Sequence, residues 1–587
     1  MSVSTWDTPS FNGCVWKLKD TNERMANALS QHFGLTDIVA RVLAGRGFDL
    51  ETTEEFLHPT LKQNLPNPFS LKDMDKAAQR MAKAIIAKEP IGIMGDYDVD
   101  GATSTAELKL YLELCDIPVL TYIPEREDGY GPNSIKMQEY KDKGCSVVAT
   151  LDCGTTAFEP IDFGTKLGLD VIILDHHNAE SQLPNAYAVV NPKRLDEDLN
   201  HPCHFLAACG VVFLFIVALN KILRESGFWE GKEEPNLIKY LDLVAFGTVC
   251  DVVKLQGVNR LFVKSGLKQL AQCQNIGLIA LARQAGLDAP PTTENLGYAM
   301  GPRINACGRV GKSDLGMRLL SSHDPIEANI LAEELESLNT LRREIENDVF
   351  LKAIEQVESK PCTKPYILVS GENWHQGVIG IVAGRLKERY NLPVFALSIE
   401  GDDIKGSSRS VSGVDIGTLI MNALTKGILT HGGGHPMAAG FSLNKDKLAD
   451  FQRYLTDNIQ STLPQQSNQF EIEGILDLSG VTFNLIDNLN LLAPFGEGNS
   501  EPIFVLKEVY TTYTTLLKNG HLSVGLRNKS GFKLPAIAFR AADTQMGQAF
   551  LANHGDTPFD LMVSLKQNNW HGQQKIQIQI MDARPSI

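Results

Sequence analysis

The sequence predicts an α/β protein: a parallel-sheet domain, a long connecting helix, a smaller α/β domain and a small C-terminal β-barrel. Three observations carry this. From about residue 90 to 180, short apolar runs alternate with stretches of helical spacing, the pattern of a parallel sheet covered by helices on both faces. Over 326–360, "IEANILAEELESLNTLRREIENDVFLKAIEQVESK" sets Leu331, Leu335, Leu338, Leu341 and Ile345 along one helical stripe. After "STLPQQSNQ" apolar and polar residues alternate, as in "FDLMVSLKQNNW" and "KIQIQIMDA", which favours a small barrel.

At 587 residues the chain is too long for one core, and roughly 100–200 residues per domain gives three to five units. The reading places an N-terminal segment at 1–70, the parallel-sheet domain at 71–325, the connecting helix at 326–361, the smaller α/β domain at 362–460 and the barrel at 466–587. The apolar share of 43% and charged share of 21% are ordinary for a globular protein. A formal charge of -15 argues against a general polyanion binder, while leaving room for an enzyme with a local basic groove. "MSVSTWDTPSFNGCVWKL" has no basic segment followed by an apolar run, so no secretory signal is expected. The longest apolar run, "FLAACGVVFLFIVAL" (205–219), falls short of the roughly 20 residues that span a bilayer. It reads as a buried helix, with no membrane partner. Ten cysteines without a CxxC pair suit reduced thiols in a cytoplasm.

The stretch "GIMGDYDVDG" (92–101) crowds Asp96, Asp98 and Asp100 two residues apart, where their charges repel. It follows the strand "PIGIMG". Asp152 in "TLDCGTT" follows the strand "CSVVATL", and Asp175 in "ILDHHNAE" follows "GLDVIIL". Ligands of open parallel sheets bind at the carboxyl ends of the strands, so the three acidic elements should converge. A hard divalent cation makes such crowding favourable. Asp98, Asp100, Asp152 and Asp251 offer oxygens and His176 an imidazole nitrogen, a set suited to Mn²⁺ or Mg²⁺ rather than zinc. So many donors exceed one ion's needs, and two ions roughly 3.5–4 Å apart would clamp a phosphoryl group between them. Each residue has a plainer alternative: a lone DxD is usually a solvated turn, Asp152 or Asp251 an ordinary helix cap, and a His pair can simply bond to backbone. Three equivalent strand ends acting together favour the metal reading.

"GDYDVDGATSTA", "TLDCGTT", "LDHHNAE" and "FGTVCDVV" resemble the four successive motifs of the DHH phosphoesterases, named for the triplet at Asp175-His176-His177. "GPRINACGRVG" (301–311), "GSSRSVSGVDI" (406–416), "HGGGHPMAAGF" (431–441) and "APFGEGNSEPIF" (493–504) are similar to one branch, the bacterial single-strand-specific exonucleases. The resemblance runs from about residue 45 to the C-terminus. It implies the domain order DHH, connecting helix, DHH-associated (DHHA1) domain and oligonucleotide-binding (OB) barrel. It also implies that Asp98, Asp100, Asp152, His176 and Asp251 are metal ligands with Asp152 bridging. Asp96 would be a ligand or a partner of one, and His177 would contact the scissile phosphate or the leaving oxygen.

Cationic clamps are the other requirement of a phosphodiester. The resemblance implies that Arg303, Asn305 and Arg309 contact the cleaved phosphate, against the plainer reading of a helix end rich in ion pairs. It implies that Ser407 and Arg409 hold a terminal 5′-phosphate. "HGGGH", with His431, Gly433 and His435, offers backbone N–H groups of the kind phosphate-cradling turns use. In the barrel segment Tyr510, Tyr513 and Trp570 are interleaved with Lys518, Arg527 and Lys566, as stacking on single strands requires. The expectation is a two-metal 5′→3′ exonuclease that degrades single-stranded DNA to 5′-mononucleotides in recombination and repair. Its expected partners are a single-strand-binding protein and a helicase. The alternatives are an oligoribonuclease or cyclic-dinucleotide phosphodiesterase, which typically lacks the barrel and long helix, and a non-catalytic replication scaffold, which should have lost ligands.

Overall fold

The computed structural model of the protein describes residues 5–6, 9–126, 129, 131–359, 364–459, 469–553, 555–570 and 573–586. Two compact units account for the chain. One comprises Pro66–Val253 and Ser265–Gln465, the other Met1–Leu65, Lys254–Lys264 and Gln466–Ile587.

The first unit begins with a five-stranded, wholly parallel sheet of β1 (Ile91–Met94), β2 (Val119–Tyr122), β3 (Val147–Leu151), β4 (Asp170–Leu174) and β5 (Ala188–Val190), in the order β2-β1-β3-β4-β5. Every residue of β1, β3 and β5 is buried, because helices cover both faces and leave no polar side for alternation. Helices Ser134–Asp142 and Phe158–Lys166 pack Met137, Tyr140 and Ile161 against Val148, Val171 and Ile173 on one face. The other face carries α1 (Val99–Leu114), α2 (Ala208–Glu225) and α3 (Leu241–Cys250), which pack on one another. The apolar run at 205–219 is the core of α2, where Phe213, Leu214, Phe215 and Ile216 are buried. No helix among the described residues is long and apolar enough to cross a membrane. Beyond α3, α4 (Gly301–Val310) precedes the 34-residue α5 (Pro325–Glu358), capped by Asp324 with proline at its first position.

The stripe on α5 serves two cores in turn. Leu331 and Leu335 are buried with the α1 and α4 side chains Ala102 and Ile304. Val349, Phe350 and Ala353 are buried with Val378 and Val382 of α6 (Gln376–Tyr390). Leu341, expected on the buried stripe, is 43% exposed, since it lies where the helix passes from one core to the other. The second sheet contains β6 (Ile367–Glu372), β7 (Val394–Glu400), β8 (Asp403–Arg409), β9 (His431–His435) and β10 (Ala438–Asn444), in the order β9-β10-β8-β7-β6. Only the β6–β7 pair is parallel.

The other unit joins sequence-distant pieces. Strands Phe504–Leu516, Leu522–Arg527, Lys533–Ala538, Gln573–Pro585 and Phe559–Trp570 pair in a ring that closes between Phe504–Leu516 and Phe559–Trp570. Helices Glu23–Phe33 and Asp37–Gly45 lay Leu29, Val39 and Leu43 into the same core as Phe550, Leu561 and Ile580. The sequence pattern predicts residues 1–70 only as a separate segment; such contacts over some five hundred positions have no local signature. Arg260 holds the inserted piece, donating to the carbonyls of Leu492 (3.0 Å) and Ala493 (2.8 Å) with its guanidinium 3.6 Å from the Phe56 ring centroid. Trp16, fully buried, donates its indole N–H to Asp582 at 3.0 Å, and Trp6 does the same to Asp560 at 3.1 Å. Trp16→Phe strands a buried carboxylate oxygen and is expected to cost this unit about 1–3 kcal/mol, read from chemical denaturation.

Candidate metal centre

Asp96, Asp152 and Asp175 stand just beyond β1, β3 and β4 at one edge of the parallel sheet. Asp98 caps α1, accepting from the Gly101 N–H at 3.0 Å. A Cβ at Gly101 would lie 2.5 Å from the Asp96 carbonyl oxygen, so the acidic turn closes only with glycine there. Asp100, buried, accepts from the N–H groups of Ala208 (2.7 Å) and Cys209 (2.9 Å) at the start of α2, where helix dipole and unpaired donors favour an anion. Asp251 follows α3 directly. A Cβ at Gly247 would approach Asp100 Oδ1 to 3.0 Å and Thr103 Oγ1 to 2.4 Å, which is how α3 brings Asp251 so close to α1. Asp152 adopts a left-handed φ of 59°; it does not serve as a helix cap, since the next helix starts at Phe158 with Ala157 before it.

These side chains meet. His176 Nε2 lies 3.3 Å from Asp152 Oδ1, 3.6 Å from Asp251 Oδ2 and 3.7 Å from Asp100 Oδ2. Ligand atoms lie within 4.8 Å of one another in three sets: Asp96–Asp98–Asp152, Asp100–His176–Asp251 and Asp152–His176–His177. Two neighbouring positions emerge, with Asp152 and His176 between them. Burial, and then the charge of neighbouring aspartates, pushes Asp96 and Asp251 up to about 8 and raises Asp98 and Asp152 as well. Burial lowers His176 to about 4, leaving a neutral imidazole. The Asp251 Oδ2 and His176 Nδ1 atoms are buried without hydrogen-bond partners. Carboxylates held against their own repulsion, together with a neutral imidazole, fit hard divalent cations.

His177 differs from its neighbour. Its side chain is 41% exposed against 6% for His176, so it faces the approach to the cluster. Its Nδ1 lies 2.8 Å from Asp175 Oδ1. Burial works against its charge, but this bond and nearby carboxylates raise it to about 9. Asp175, although buried, is held well below the usual carboxylate range by the histidines and by the Thr155 N–H at 3.0 Å. Asp175 therefore orients the pair through His177 and lies outside the three ligand sets.

A second cluster is cationic. Arg309, on α4, donates to the Gly377 carbonyl at 2.9 Å. Burial, then the charges of Arg126 and Arg342, lowers it to about 10, with Arg409 adding to the effect. Arg409 donates to Ser407 Oγ at 3.3 Å and to the Ser408 carbonyl at 2.9 Å. A Cβ at Gly380 of α6 would sit 2.9 Å from Ser407 Oγ and 3.2 Å from the Arg409 guanidinium. Crowded, desolvated arginines mark an anion's place.

Other expected contacts fall elsewhere. Arg303 is buried, paired with Glu336 of α5, and donates to the Ala299 carbonyl at 2.6 Å, so in this structure its guanidinium is engaged in helix packing. Asn305, nearby on α4, has a buried Oδ1 without a hydrogen-bond partner. His431, Gly433 and His435 form the edge strand β9, paired antiparallel with β10, because three glycines permit an extended strand as readily as a turn. In the barrel, Tyr510 lies under the Arg527 guanidinium at 4.8 Å, Tyr513 is 50% exposed and Lys566 pairs with Glu501 at 3.0 Å. The side chain of Trp570 lies outside the described residues. Sequence reasoning missed Arg126 and Lys193, which follow β2 and β5. Applying the strand-end rule to all five strands finds both.

A parallel sheet with Asp-His-His at one strand end and acids converging on it defines a DHH-family protein. Family models agree: the DHH family N-terminal domain matches residues 90–248, the DHHA1 domain 363–461 and the RecJ OB domain 472–582. The chain is 33% identical over 580 residues to the single-stranded-DNA-specific exonuclease RecJ of Bacillus subtilis strain 168, covering 97% of this chain and 71% of that protein. It is 34% identical over 568 residues to the protein of the same name in Escherichia coli K12, covering 94% and 96%. The crystal structure of RecJ in complex with Mn²⁺ from Thermus thermophilus superposes with a TM-score of 0.80 at 28% identity, over 97% of this chain and 79% of that one. The chain belongs to the RecJ family.

The raised acids give the metal-free protein a definite pH response. Asp96 and Asp251 keep protons when folded up to about 8 and release them near 4 when unfolded, so stability falls as pH rises between these values. His177, raised from 6.5 to about 9, adds the same sign above 6.5. The thermal midpoint of chelator-treated protein should fall between pH 6.5 and 8, and saturating Mn²⁺ should remove that fall. A midpoint that climbs across this window contradicts the shared burial of these acids.

Proposed function

We propose that the chain is a metal-dependent 5′→3′ exonuclease that degrades single-stranded DNA to 5′-mononucleotides, serving recombination and repair. The observation that carries this reading is the convergence of Asp96, Asp98, Asp100, Asp152, His176 and Asp251 at one strand-end rim. The RecJ OB match over 472–582 favours it over the oligoribonuclease alternative, and the intact acidic set disfavours the scaffold reading.

Held by those six residues, two Mn²⁺ or Mg²⁺ ions would supply an activated water and neutralise charge on the phosphoryl oxygens. The chain's own residues do the rest. Burial opposes the charge of His177, but its bond to Asp175 raises it to about 9 in the metal-free protein, and with Nδ1 committed to Asp175 its Nε2–H is left to donate to the phosphate or the leaving oxygen. The water oxygen bonds to phosphorus, the bond from phosphorus to the 3′-oxygen breaks, and that oxygen takes a proton. Arg309, Ser407 and Arg409 would anchor the 5′-phosphate, which fixes how many nucleotides separate the end from the reacting centre. Each cut leaves a new 5′-phosphate, so the product strand is again a substrate.

In this assignment residues 71–325 carry the chemistry, 326–361 the connecting helix, 362–460 the end-binding site and 466–587 the strand-holding barrel. The substrate class calls for a helicase to expose single strands and for a single-strand-binding protein. The described cysteines are all free thiols, which supports a reducing, cytoplasmic setting.

Digestion of 5′- and 3′-labelled single strands in Mn²⁺, with a duplex control, tests the reading; release of 3′-label first would reverse the polarity. Asp152→Ala should abolish cleavage while the fold survives, and near-normal turnover would refute its bridging role. Arg409→Ala should lower the preference for 5′-phosphorylated over 5′-hydroxyl strands roughly tenfold or more without weakening Mn²⁺ binding.

A further inference from the structure

Beyond β5 the chain turns through Asn191, Pro192, Lys193 and Arg194, a segment that none of the family motifs above includes. The turn is fixed on three sides. Asn191, fully buried, donates from Nδ2 to Thr155 Oγ1 and to the His177 carbonyl, each at 2.9 Å. Its Oδ1 accepts the Lys193 N–H at 2.8 Å. Arg194 is pinned by Asp73 and Asp196, each at 2.9 Å. Lys193 is thereby tied through one amide to the backbone of His177.

Lys193 itself is half-buried three residues beyond β5, at the strand-end edge that carries the acids. Burial lowers its ammonium while Asp251, Asp175, Asp100 and Asp152 act in the opposite direction, yet among the described residues it forms no salt bridge with any of them. No hydrogen bond from its ammonium is found among the described residues. A cation in the field of several carboxylates, paired with none, has a different role once divalent ions occupy the recess. The ions repel it, and the anion left for it to meet is the substrate phosphate.

We propose that Lys193 is a further catalytic residue, whose ammonium contacts a non-bridging oxygen of the scissile phosphate and stabilises the charge that builds there. This rests on the phosphodiesterase reading and deepens it. The ammonium acts as a fixed charge, with no proton transferred. Because the turn also carries the His177 carbonyl bond, Lys193 and His177 approach the phosphate as one unit.

The test compares wild type, Lys193→Gln and Lys193→Arg on single-stranded DNA, with Mn²⁺ affinity measured separately by titration without DNA. Lys193→Gln should lower turnover at saturating Mn²⁺ by about 10²–10³-fold, the usual loss for one charge-stabilising donor. Its Mn²⁺ affinity should stay equal or rise, since a cation has left the recess. Lys193→Arg should recover most of the turnover. With one phosphorothioate diastereomer at the first linkage, the gap between wild type and Lys193→Gln should shrink, because sulfur replaces the oxygen the ammonium contacts. Unchanged turnover in Lys193→Gln overturns the proposal and leaves Lys193 a mere counter-ion. A loss matched by weaker Mn²⁺ binding, or a gap identical on both diastereomers, overturns it too. Failure of the parent reading appears separately, as a wild type that degrades no single strand.

Discussion

Buried negative charge is the constraint on which the rest of the structure depends. Asp96, Asp100, Asp152 and Asp175 are almost wholly withdrawn from water, and each is treated differently. The start of α2 satisfies Asp100, Thr155 and the histidines satisfy Asp175, while burial and the neighbouring acids push Asp96 and Asp152 up, against ionisation. A divalent cation reverses that balance, because its charge favours the ionised carboxylates and takes the place of their protons. The left-handed φ of Asp152 and of Val252, 59° at each, lies on the same rim, and strain of this kind gathers where geometry must be held. The architecture around the site follows from keeping these groups together. Gly247 lets α3 approach α1, Gly101 lets the acidic turn close, and the parallel sheet lines up the strand ends.

Two adjacent histidines show how finely environment sets chemistry. His176 and His177 share a turn, with ring centroids 4.7 Å apart. One is buried and neutral, facing three carboxylates; the other is exposed enough to meet substrate and is bonded to Asp175 through Nδ1. A neutral imidazole has a lone pair for a cation, whereas a charged one has protons for an oxygen anion. The Asp-His-His triplet thus supplies an orienting acid, a candidate ligand and a candidate donor in three consecutive residues.

Much of this was legible because it was local. The strand-then-acid sequence at Met94–Asp96, Leu151–Asp152 and Leu174–Asp175 gave both the sheet and the rim. What escaped was non-local. Nothing around Leu29 or Val39 announces that these side chains complete the barrel core, since both read as ordinary amphipathic helix. The resemblance implies a phosphate contact for both Arg303 and Arg309; in the structure Arg303 pairs with Glu336 of α5 whereas Arg309 donates to Gly377, a difference set by packing between helices that no local motif shows. Leu341 kept the helical period yet emerged into solvent, since the period cannot reveal that α5 changes partner cores midway. Lys193 and Arg126 lie just where the strand-end rule points, but basic residues in loops are too common to stand out unaided.

On the proposed reading, the direction of digestion depends on a distance, and α4 spans it. Its Gly308 lies against the Tyr97 ring, within the acidic turn itself, with room for no side chain: a Cβ there would come within 2.7 Å of that ring. The next residue, Arg309, donates to Gly377 at the start of α6, whose Gly380 abuts Ser407 and Arg409. From Asp96 to Arg409 the path therefore runs through close approaches that only glycine permits at Gly308 and Gly380. Arg126 adds a second strut, its guanidinium 5.0 Å from the Tyr97 ring and bonded to the Gly308 carbonyl at 3.0 Å. An enzyme that must cut a fixed step from a chain end needs such a ruler, because misplacement by one ångström forfeits much of the gain from positioning. On the proposed reading, a fixed spacing between the acidic recess and the arginine cluster is as much a part of the chemistry as either site.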